Sequence, residues 1–447
     1  METLSGFDFI ALEYDGDGKP TSTALTELQQ HVASTGTTDL ILIAHGFRNN
    51  AKDARQLYAD FLGTFRANMV RPELAAKLAS RQFVVGGVFW PSKPFNEGDK
   101  MDEGGAQSLG DAGEEMESAR AQLEEMRDAD VKPEQRATVD QAIALLPQLE
   151  DDEAKQDEFV ALLLSVIDAD EDDPNEGFAE LKAQRGSELL EKLRAPIILP
   201  TRRSDDDGGV QSIDGTGDTS GDGRPLFIGG LFKSIAGRVG QFLNMGLWYT
   251  MKKRSGIVGA EGVAKAVRAL KQANPALRVH LVGHSLGGRC MAACSKALSV
   301  SPMVQPESVA LLEAAFSHYG LSANNGKGSA GFFRDVIARQ VVKGPFISTF
   351  SYQDTVVGKA YAISSRLAGD NTKAIGDKND QFGGIGRNGT QKCDESATQP
   401  MSKAGKQYTY APNVVNNIDG SGGFIKDHGD VTNPDVTYAV ACAIATT

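Results

Sequence analysis

A serine flanked by small residues is the side chain of this sequence best placed to do chemistry. Gly283, Ser285 and Gly287 fit the pattern G-x-S-x-G. A short apolar run typical of a buried strand precedes the serine, and an alanine-rich run that favours a helix follows it. In that setting the pattern indicates a nucleophile elbow, in which a sharp turn exposes the serine hydroxyl at the carboxyl end of a sheet. A glycine-rich turn without catalytic function fits the bare pattern equally well. Whether the chain also offers a base and an acid for the serine therefore decides between the two interpretations.

A serine nucleophile needs a base, because its hydroxyl is weakly reactive at neutral pH. The chain offers six histidines: His31, His45, His280, His284, His318 and His428. His428 is the predicted base, since it lies in a loop between the last predicted strand and the closing helix, at the carboxyl edge of the sheet. His318 is the second choice, while His280 and His284 lie too close to Ser285 along the chain to reach it. A surface histidine in a loop is the alternative for His428.

The base in turn needs an acid that orients it. Asp354 is the predicted acid, because it follows the second predicted strand after the elbow. It also precedes a helix predicted to begin at Thr355, so capping that helix is a second role, compatible with the first. Glu313, one strand earlier, is the alternative acid. The order Ser285, Asp354, His428 along the chain is the order expected for a nucleophile elbow.

Two short motifs give the chain a family resemblance. The run Gly-His-Ser-Leu-Gly-Gly occupies 283–288, and His-Gly-Phe occupies 45–47 after an earlier predicted strand. Together they resemble the α/β-hydrolase superfamily, and in particular its lipases and esterases. The resemblance implies that the backbone N–H groups of Leu286 and Phe47 form an oxyanion hole, which stabilises a tetrahedral intermediate. It also implies that the acid follows either of two strands.

Predicted strands and helices alternate at 7–90 and 255–447, the parts that the resemblance covers. Such alternation predicts an α/β fold with a mostly parallel central sheet and helices on both faces. The expected organisation is an α/β-hydrolase core at 1–95 and 224–447, an inserted acidic helical cap or bundle at 96–200, and a flexible Asp/Gly-rich linker at 201–223. Helices are predicted in the insertion at 114–127, 133–146, 156–168 and 175–193, and a segment without regular structure is predicted at 368–406.

Charge is concentrated in one part of the chain. The net charge is −13, and residues 101–200 contain 27 acidic and 9 basic side chains. That block is therefore predicted to be a separate, solvated unit, which serves either as a lid or as a module that binds a partner not identified by the sequence. The chain has no basic stripe with interleaved aromatic residues, so nucleic acid is not an expected partner.

An amphipathic stretch at 226–251 has two interpretations. It is either an interfacial lid, making peripheral contact with a membrane, or a helix packed against the sheet, and its five glycines favour the packed helix. No run of 18 apolar residues indicates a spanning helix, and the first residues lack the features of a secretory signal. Only four cysteines occur, and Cys290 and Cys294 are expected to pack as small apolar groups. A cytoplasmic protein is therefore expected.

These features predict an enzyme, a serine hydrolase that cleaves carboxylic esters through a Ser-His-Asp triad and an acyl-enzyme. The expected substrate is a small-molecule or lipid ester, and neither a metal nor an organic cofactor is expected. Within the same chemistry, a phospholipase-type effector is one alternative. From another class of function, a catalytically inactive hydrolase-fold scaffold could use the acidic helical insertion to bind a partner.

Overall fold

The structure, a computed structural model, describes residues 1–93, 112–195, 197, 199, 234–369 and 375–447. The chain divides into two units. The first unit comprises 1–92, 254–357 and 384–447, and the second comprises 93–253 and 358–383. The structure therefore groups 234–253 and 358–383 with the helices of the predicted insertion. The predicted linker at 201–223 lies outside the described residues.

Nine strands form one sheet within the described residues. They are β1 Glu2–Leu4, β2 Phe7–Glu13, β3 Asp39–Ala44, β4 Phe83–Phe89, β5 Arg278–His284, β6 Ser308–Leu312, β7 Phe346–Phe350, β8 Ser396–Pro400 and β9 Val415–Asp419. Across the sheet the order is β1-β2-β4-β3-β5-β6-β7-β9-β8. All neighbouring strands are parallel except β1 and β2. The predicted α/β fold with a mostly parallel sheet is confirmed.

Fifteen α-helices accompany these strands in the described ranges. They are α1 Ala24–Ser34, α2 Ala51–Met69, α3 Pro72–Leu78, α4 Ala112–Ala129, α5 Arg136–Leu145, α6 Glu153–Val166, α7 Phe178–Lys182, α8 Gly186–Lys192, α9 Ile235–Ile257, α10 Ala264–Ala273, α11 Leu286–Leu298, α12 Arg334–Ala338, α13 Thr355–Leu367, α14 Ile385–Asn388 and α15 Pro434–Ala445. A π-helical turn, Val258–Val263, joins α9 to α10. Two single turns of 3₁₀ helix flank α5.

Helices cover the sheet of the first unit on both faces. Alternate residues of β3, Ile41 and Ile43, belong to an apolar cluster that also contains residues of α2, α3 and α15. Leu40 and Leu42 are fully buried as well, and side chains alternate between the faces of a strand. They therefore point to the opposite face, where α11 contacts β3, β5 and β6. Burial on both sides explains why β3 is a continuous apolar run after Asp39.

A buried charge network ties the amino ends of the central strands together. Asp39, the first residue of β3, is fully buried and accepts hydrogen bonds from Arg81 and from Arg278, the latter at 2.9 Å. His280 Nε2 lies 3.0 Å from the same carboxylate. Burial alone would raise the pKa of Asp39, but the hydrogen bonds from His280, Arg81 and Arg278 outweigh it and hold that pKa well below its usual range. The network thus stabilises the edge of the sheet opposite to the predicted site.

The helix predicted at 175–193 is wrong as a single element, because the chain forms two short helices, α7 and α8. A carboxylate from α6 explains the break. Asp157 accepts hydrogen bonds from the Ser187 amide at 2.8 Å and from its hydroxyl at 2.7 Å. This contact joins residues that are 30 apart in sequence, and it caps the start of α8. A Cβ at Gly186 would lie 2.6 Å from Cβ of Val160, so the glycine permits the close approach of α8 to α6.

The segment 368–406 also contains more regular structure than predicted. It includes α14 and β8, and β8 pairs in parallel with β9 at the edge of the sheet. The sequence of β8, Ser-Ala-Thr-Gln-Pro, has no alternation of apolar and polar residues. Its side chains are exposed or half-buried, so the strand has no apolar face by which it could be recognised. Tertiary pairing rather than local pattern therefore defines this strand.

The stretch predicted to be amphipathic at 226–251 forms α9 from position 235 onward. Six of its apolar side chains are no more than 1% exposed, namely Ile235, Val239, Phe242, Met245, Trp248 and Met251, while Leu243 is 8% exposed and Leu247 is half-buried. The described part therefore has the burial expected of a packed helix, and the membrane contact stays a prediction. In the ranges that the structure describes, every helix is too short or too polar to cross a bilayer. The four cysteines are buried free thiols, as expected for Cys290 and Cys294.

Candidate active site

The predicted nucleophile occupies a strained turn between β5 and α11. Ser285 has φ of 57° and ψ of −124°, a conformation that non-glycine residues rarely adopt and that costs of order 1–3 kcal/mol. Neighbouring strands hold it there: the Ser285 amide donates to Leu312 O at 3.0 Å, and its carbonyl accepts from the Ala315 amide at 3.0 Å. The side chain is 4% exposed. A strained turn of this kind is what the predicted nucleophile elbow requires.

Close backbone contacts explain the glycines of the motif. A Cβ at Gly283 would lie 2.3 Å from the carbonyl oxygen of Gly287, and a Cβ at Gly287 would lie 2.2 Å from that of Ala44. Both positions therefore exclude any larger residue. The structure adds Gly46, whose role the sequence did not reveal. A Cβ there would lie 2.7 Å from Ser285 Cβ and 3.1 Å from Ser285 Oγ, so a side chain at Gly46 would cover the nucleophile.

The structure brings the predicted base and acid into direct contact. Nδ1 of His428 lies 2.8 Å from Oδ2 of Asp354, and the two residues are 4% and 0% exposed. Because a carboxylate only accepts, the proton of a neutral imidazole lies on Nδ1 and leaves Nε2 as the acceptor. That tautomer is the one that a general base for a serine requires.

Asp354 makes the contacts that both of its predicted roles require. Its Oδ2 faces His428, while its Oδ1 accepts from the amide of Val357 at 2.9 Å and so caps the start of α13. The guanidinium of Arg387 donates to the carbonyl oxygens of Tyr352 and Asp354. The carboxylate is thus fixed from the helix and from the loop before it, which sets the direction in which it meets the imidazole.

His428 is also placed against the elbow. Nε2 of His284 lies 2.8 Å from the carbonyl oxygen of His428, and the two rings are 4.8 Å apart between centroids. Since β5, β6, β7 and β9 are parallel neighbours, the loops that follow them leave from the same edge. The structure therefore brings Ser285, Asp354 and His428 to that edge. The sequence placed His284 in the elbow but did not reveal this contact.

The alternative acid and base occupy different environments. Glu313 follows β6 with φ of 40° and is fully buried. Burial, followed by the neighbouring charge of Asp354, raises the pKa of Glu313 well above its usual range. A carboxyl that favours its neutral form is poorly suited to balance an imidazolium, so Asp354 is the better partner for the base. His318 is fully buried, and its Nδ1 lies 3.2 Å from Nδ2 of Asn388.

A buried histidine and a tryptophan fix the loop that contacts the nucleophile. The ring of His45 stacks on Trp90 at 5.5 Å, and Trp90 Nε1 donates to the His45 carbonyl at 3.1 Å. Burial lowers the pKa of His45 to about 4, which keeps it neutral near pH 7. The His45 amide donates to the Tyr58 hydroxyl at 3.0 Å. These contacts hold 45–47 in place, and with them the amide of Phe47. Directly after Ser285, Leu286 begins α11, so the Leu286 amide has no acceptor within that helix.

Among the described residues, no three His, Cys, Asp or Glu side chains are grouped so that they could hold a metal ion. Comparison with known proteins adds no relative: no protein-family model, no curated protein and no solved structure matches the chain.

Proposed function

We propose that the chain is a serine hydrolase of the α/β-hydrolase type that cleaves carboxylic esters. One observation supports this most strongly: the hydrogen bond of 2.8 Å between Asp354 and His428, on a loop that contacts the strained turn of Ser285. Three distant parts of the chain would supply nucleophile, acid and base, in the order expected along the chain. A glycine-rich turn without function would not require a buried imidazole–carboxylate pair beside it, since burying such a pair costs desolvation energy.

The reaction would proceed in two halves. In the first, Oγ of Ser285 attacks the ester carbonyl carbon while Nε2 of His428 takes the hydroxyl proton. The amides of Leu286 and Phe47 donate to the oxyanion, and Asp354 stabilises the imidazolium. The C–O bond to the alcohol then breaks, and His428 returns the proton to the departing alkoxide.

In the second half, a water molecule replaces the alcohol. His428 removes a proton from the water as its oxygen attacks the acyl-enzyme, and the same two amides stabilise the second oxyanion. The bond to Ser285 Oγ breaks, the serine recovers its proton from His428, and a carboxylic acid leaves. The substrate proposed for this cycle is a small-molecule or lipid ester.

Ser285→Ala tests the proposal. We expect wild-type protein to hydrolyse p-nitrophenyl butyrate and to react covalently with a fluorophosphonate at Ser285, as located by peptide mass spectrometry. The variant should lose both reactions, with turnover falling by about six orders of magnitude to background. Ser295→Ala is the matched control, since this serine lies on α11, the helix that follows Ser285, and its hydroxyl donates to Met291 O at 2.8 Å.

The two competing outcomes are distinct. Labelling that survives Ser285→Ala would contradict the assigned nucleophile. A folded wild-type protein that neither labels nor turns over any ester would favour the scaffold alternative, in which the fold persists without catalysis.

A further inference from the structure

The residue that carries the base is held at two separate points. Its ring contacts the acid, with Nδ1 of His428 at 2.8 Å from Asp354 Oδ2. Its main chain contacts the elbow, with the carbonyl oxygen of His428 at 2.8 Å from Nε2 of His284. A carbonyl oxygen can only accept a hydrogen bond, so His284 carries its proton on Nε2 and donates it. The donor belongs to the residue directly before the nucleophile.

Other contacts hold the flanks of the same turn. The hydroxyl of Ser351 donates to Ile425 O at 2.9 Å, which fixes one side of the turn to the loop after β7. The side-chain amide of Asn433 donates to Asp430 O at 2.7 Å, which fixes the other side to the start of α15. Between these two anchors, the contact with His284 joins the main chain of the turn to the elbow. This contact thus relates the position of the base to that of the nucleophile.

The chemistry of His284 indicates a specific role rather than simple filling of space. The side chain is 8% exposed, and its Nδ1 has no hydrogen-bond partner within the described residues. An unpaired buried acceptor is unfavourable, and an apolar ring would avoid that cost. Burial, with the ring of His428 close by, lowers the pKa of His284 to about 3. The imidazole therefore stays neutral, and its Nε2 donor persists over the whole range in which ester hydrolysis is measured.

We propose that His284 is a positioning residue, which fixes the main chain of the base relative to Ser285 through its Nε2–H···O bond to His428. This proposal rests on the hydrolase function proposed above. Its consequence is selective: a lost bond displaces the base without altering the groups that would bind the ester, so kcat falls and KM does not. Misplacing a reacting group by about 1 Å can cost about 100-fold in rate.

Glutamine and phenylalanine at position 284 separate donation from packing. The amide nitrogen of glutamine reaches about as far from Cα as imidazole Nε2 does and can donate, whereas a phenyl ring fills the space without a donor. We expect His284→Phe to lower kcat for p-nitrophenyl butyrate, and the rate of fluorophosphonate labelling, by about 10- to 100-fold with KM within about twofold. His284→Gln should stay within about fivefold of wild type.

Two further variants serve as controls. His284→Asn keeps an amide that is one methylene too short to reach the carbonyl, so we expect it to behave like the phenylalanine variant; it replaces that variant if the phenyl ring prevents folding. His280→Phe removes a fully buried histidine from the opposite end of the same strand, where it contacts Asp39. It should lower the melting temperature but leave the labelling rate within about twofold.

The outcomes distinguish this proposal from the function on which it rests. Wild-type protein that reacts at Ser285, with His284→Phe reacting equally fast, would overturn the positioning role alone. The same holds if His284→Gln is as slow as His284→Phe, because then donation is not what matters. A wild-type protein that fails to react would overturn both proposals.

Discussion

Replacing Gly46 with alanine would place a methyl group against Ser285, the proposed nucleophile. The added Cβ would lie 2.7 Å from Ser285 Cβ and 3.1 Å from Ser285 Oγ. Ordinary carbon contacts begin near 3.4 Å, so the two segments must separate by about 0.7 Å. The loop at 45–47 is held by Trp90 and Tyr58. We therefore expect the turn at Ser285 to give way, because no rotamer of the hydroxyl moves Ser285 Cβ.

A shift of that size is large for catalysis and small for stability. Displacement of a reacting atom by about 1 Å costs about 100-fold in rate, so we expect kcat/KM for p-nitrophenyl butyrate to fall by about 30- to 100-fold in Gly46→Ala. Overpacking by one methyl group costs about 1–2 kcal/mol. The protein should therefore still unfold cooperatively in urea, with only a modest loss of stability.

Gly63→Ala is the matched control. Gly63 lies in the middle of α2, and an added Cβ there would have Ser5 Oγ at 3.9 Å as its nearest neighbour. Alanine should stabilise that helix by about 0.5–1 kcal/mol and leave turnover unchanged. If Gly46→Ala hydrolyses the ester as fast as Gly63→Ala does, the assignment of the loop at 45–47 to the site is wrong. If Gly46→Ala unfolds altogether, the contact is structural and the reasoning about rate fails.

Three other variants test separate parts of the structure. Asp354→Asn should keep its cap on α13 and the melting temperature, yet lower kcat by about 10⁴-fold, since the amide selects the wrong imidazole tautomer; ester turnover beside a melting curve checks this. Arg81→Met should lower the free energy of unfolding by about 3 kcal/mol, because it removes one partner of a buried carboxylate. The folded pKa of Asp39 is depressed, so the difference from wild type should be full above about pH 4 and shrink as the pH falls further, in urea titrations between pH 3 and 7. Lys252→Met leaves Glu176, 3% exposed, without its ion-pair partner and should cost about 3 kcal/mol; adding Glu176→Gln should recover part of that loss.

Local sequence patterns were sufficient for the elements that rest on burial and local geometry. The apolar runs of β3 and β5 predict strands buried on both sides, and α13 begins at Thr355 as predicted. The turn at Ser285 is predictable in part for the same reason, since Gly283 is required by a close contact with its own flanking residue Gly287. These features depend on residues that are close together in the chain.

Features that depend on residues distant along the chain could not be predicted from the sequence. The break between α7 and α8 arises from Asp157, a carboxylate on another helix, and the edge strand β8 has no pattern apart from its pairing with β9. The contact of His284 with His428 spans 144 residues. Asp354 and Glu313 were distinguishable only once their environments were known, because both follow a strand at the same edge and differ in which group faces them.

The carboxyl edge of the sheet contains strained residues, whereas the amino edge is held by a buried charge network. This difference explains how the strained residues are maintained. At the carboxyl edge Ser285 and Glu313 both have positive φ, each costing of order 1–3 kcal/mol. At the amino edge, the first residues of β3 and β5, Asp39 and Arg278, are paired within a buried network. Breaking such a network costs several kcal/mol, comparable with the strain at the other end of the same strands. Variants at the amino edge should therefore change stability with little effect on turnover. Variants at the carboxyl edge should change turnover with little loss of stability. Relief of strain at Ser285 should raise the stability of the protein while its activity is lost.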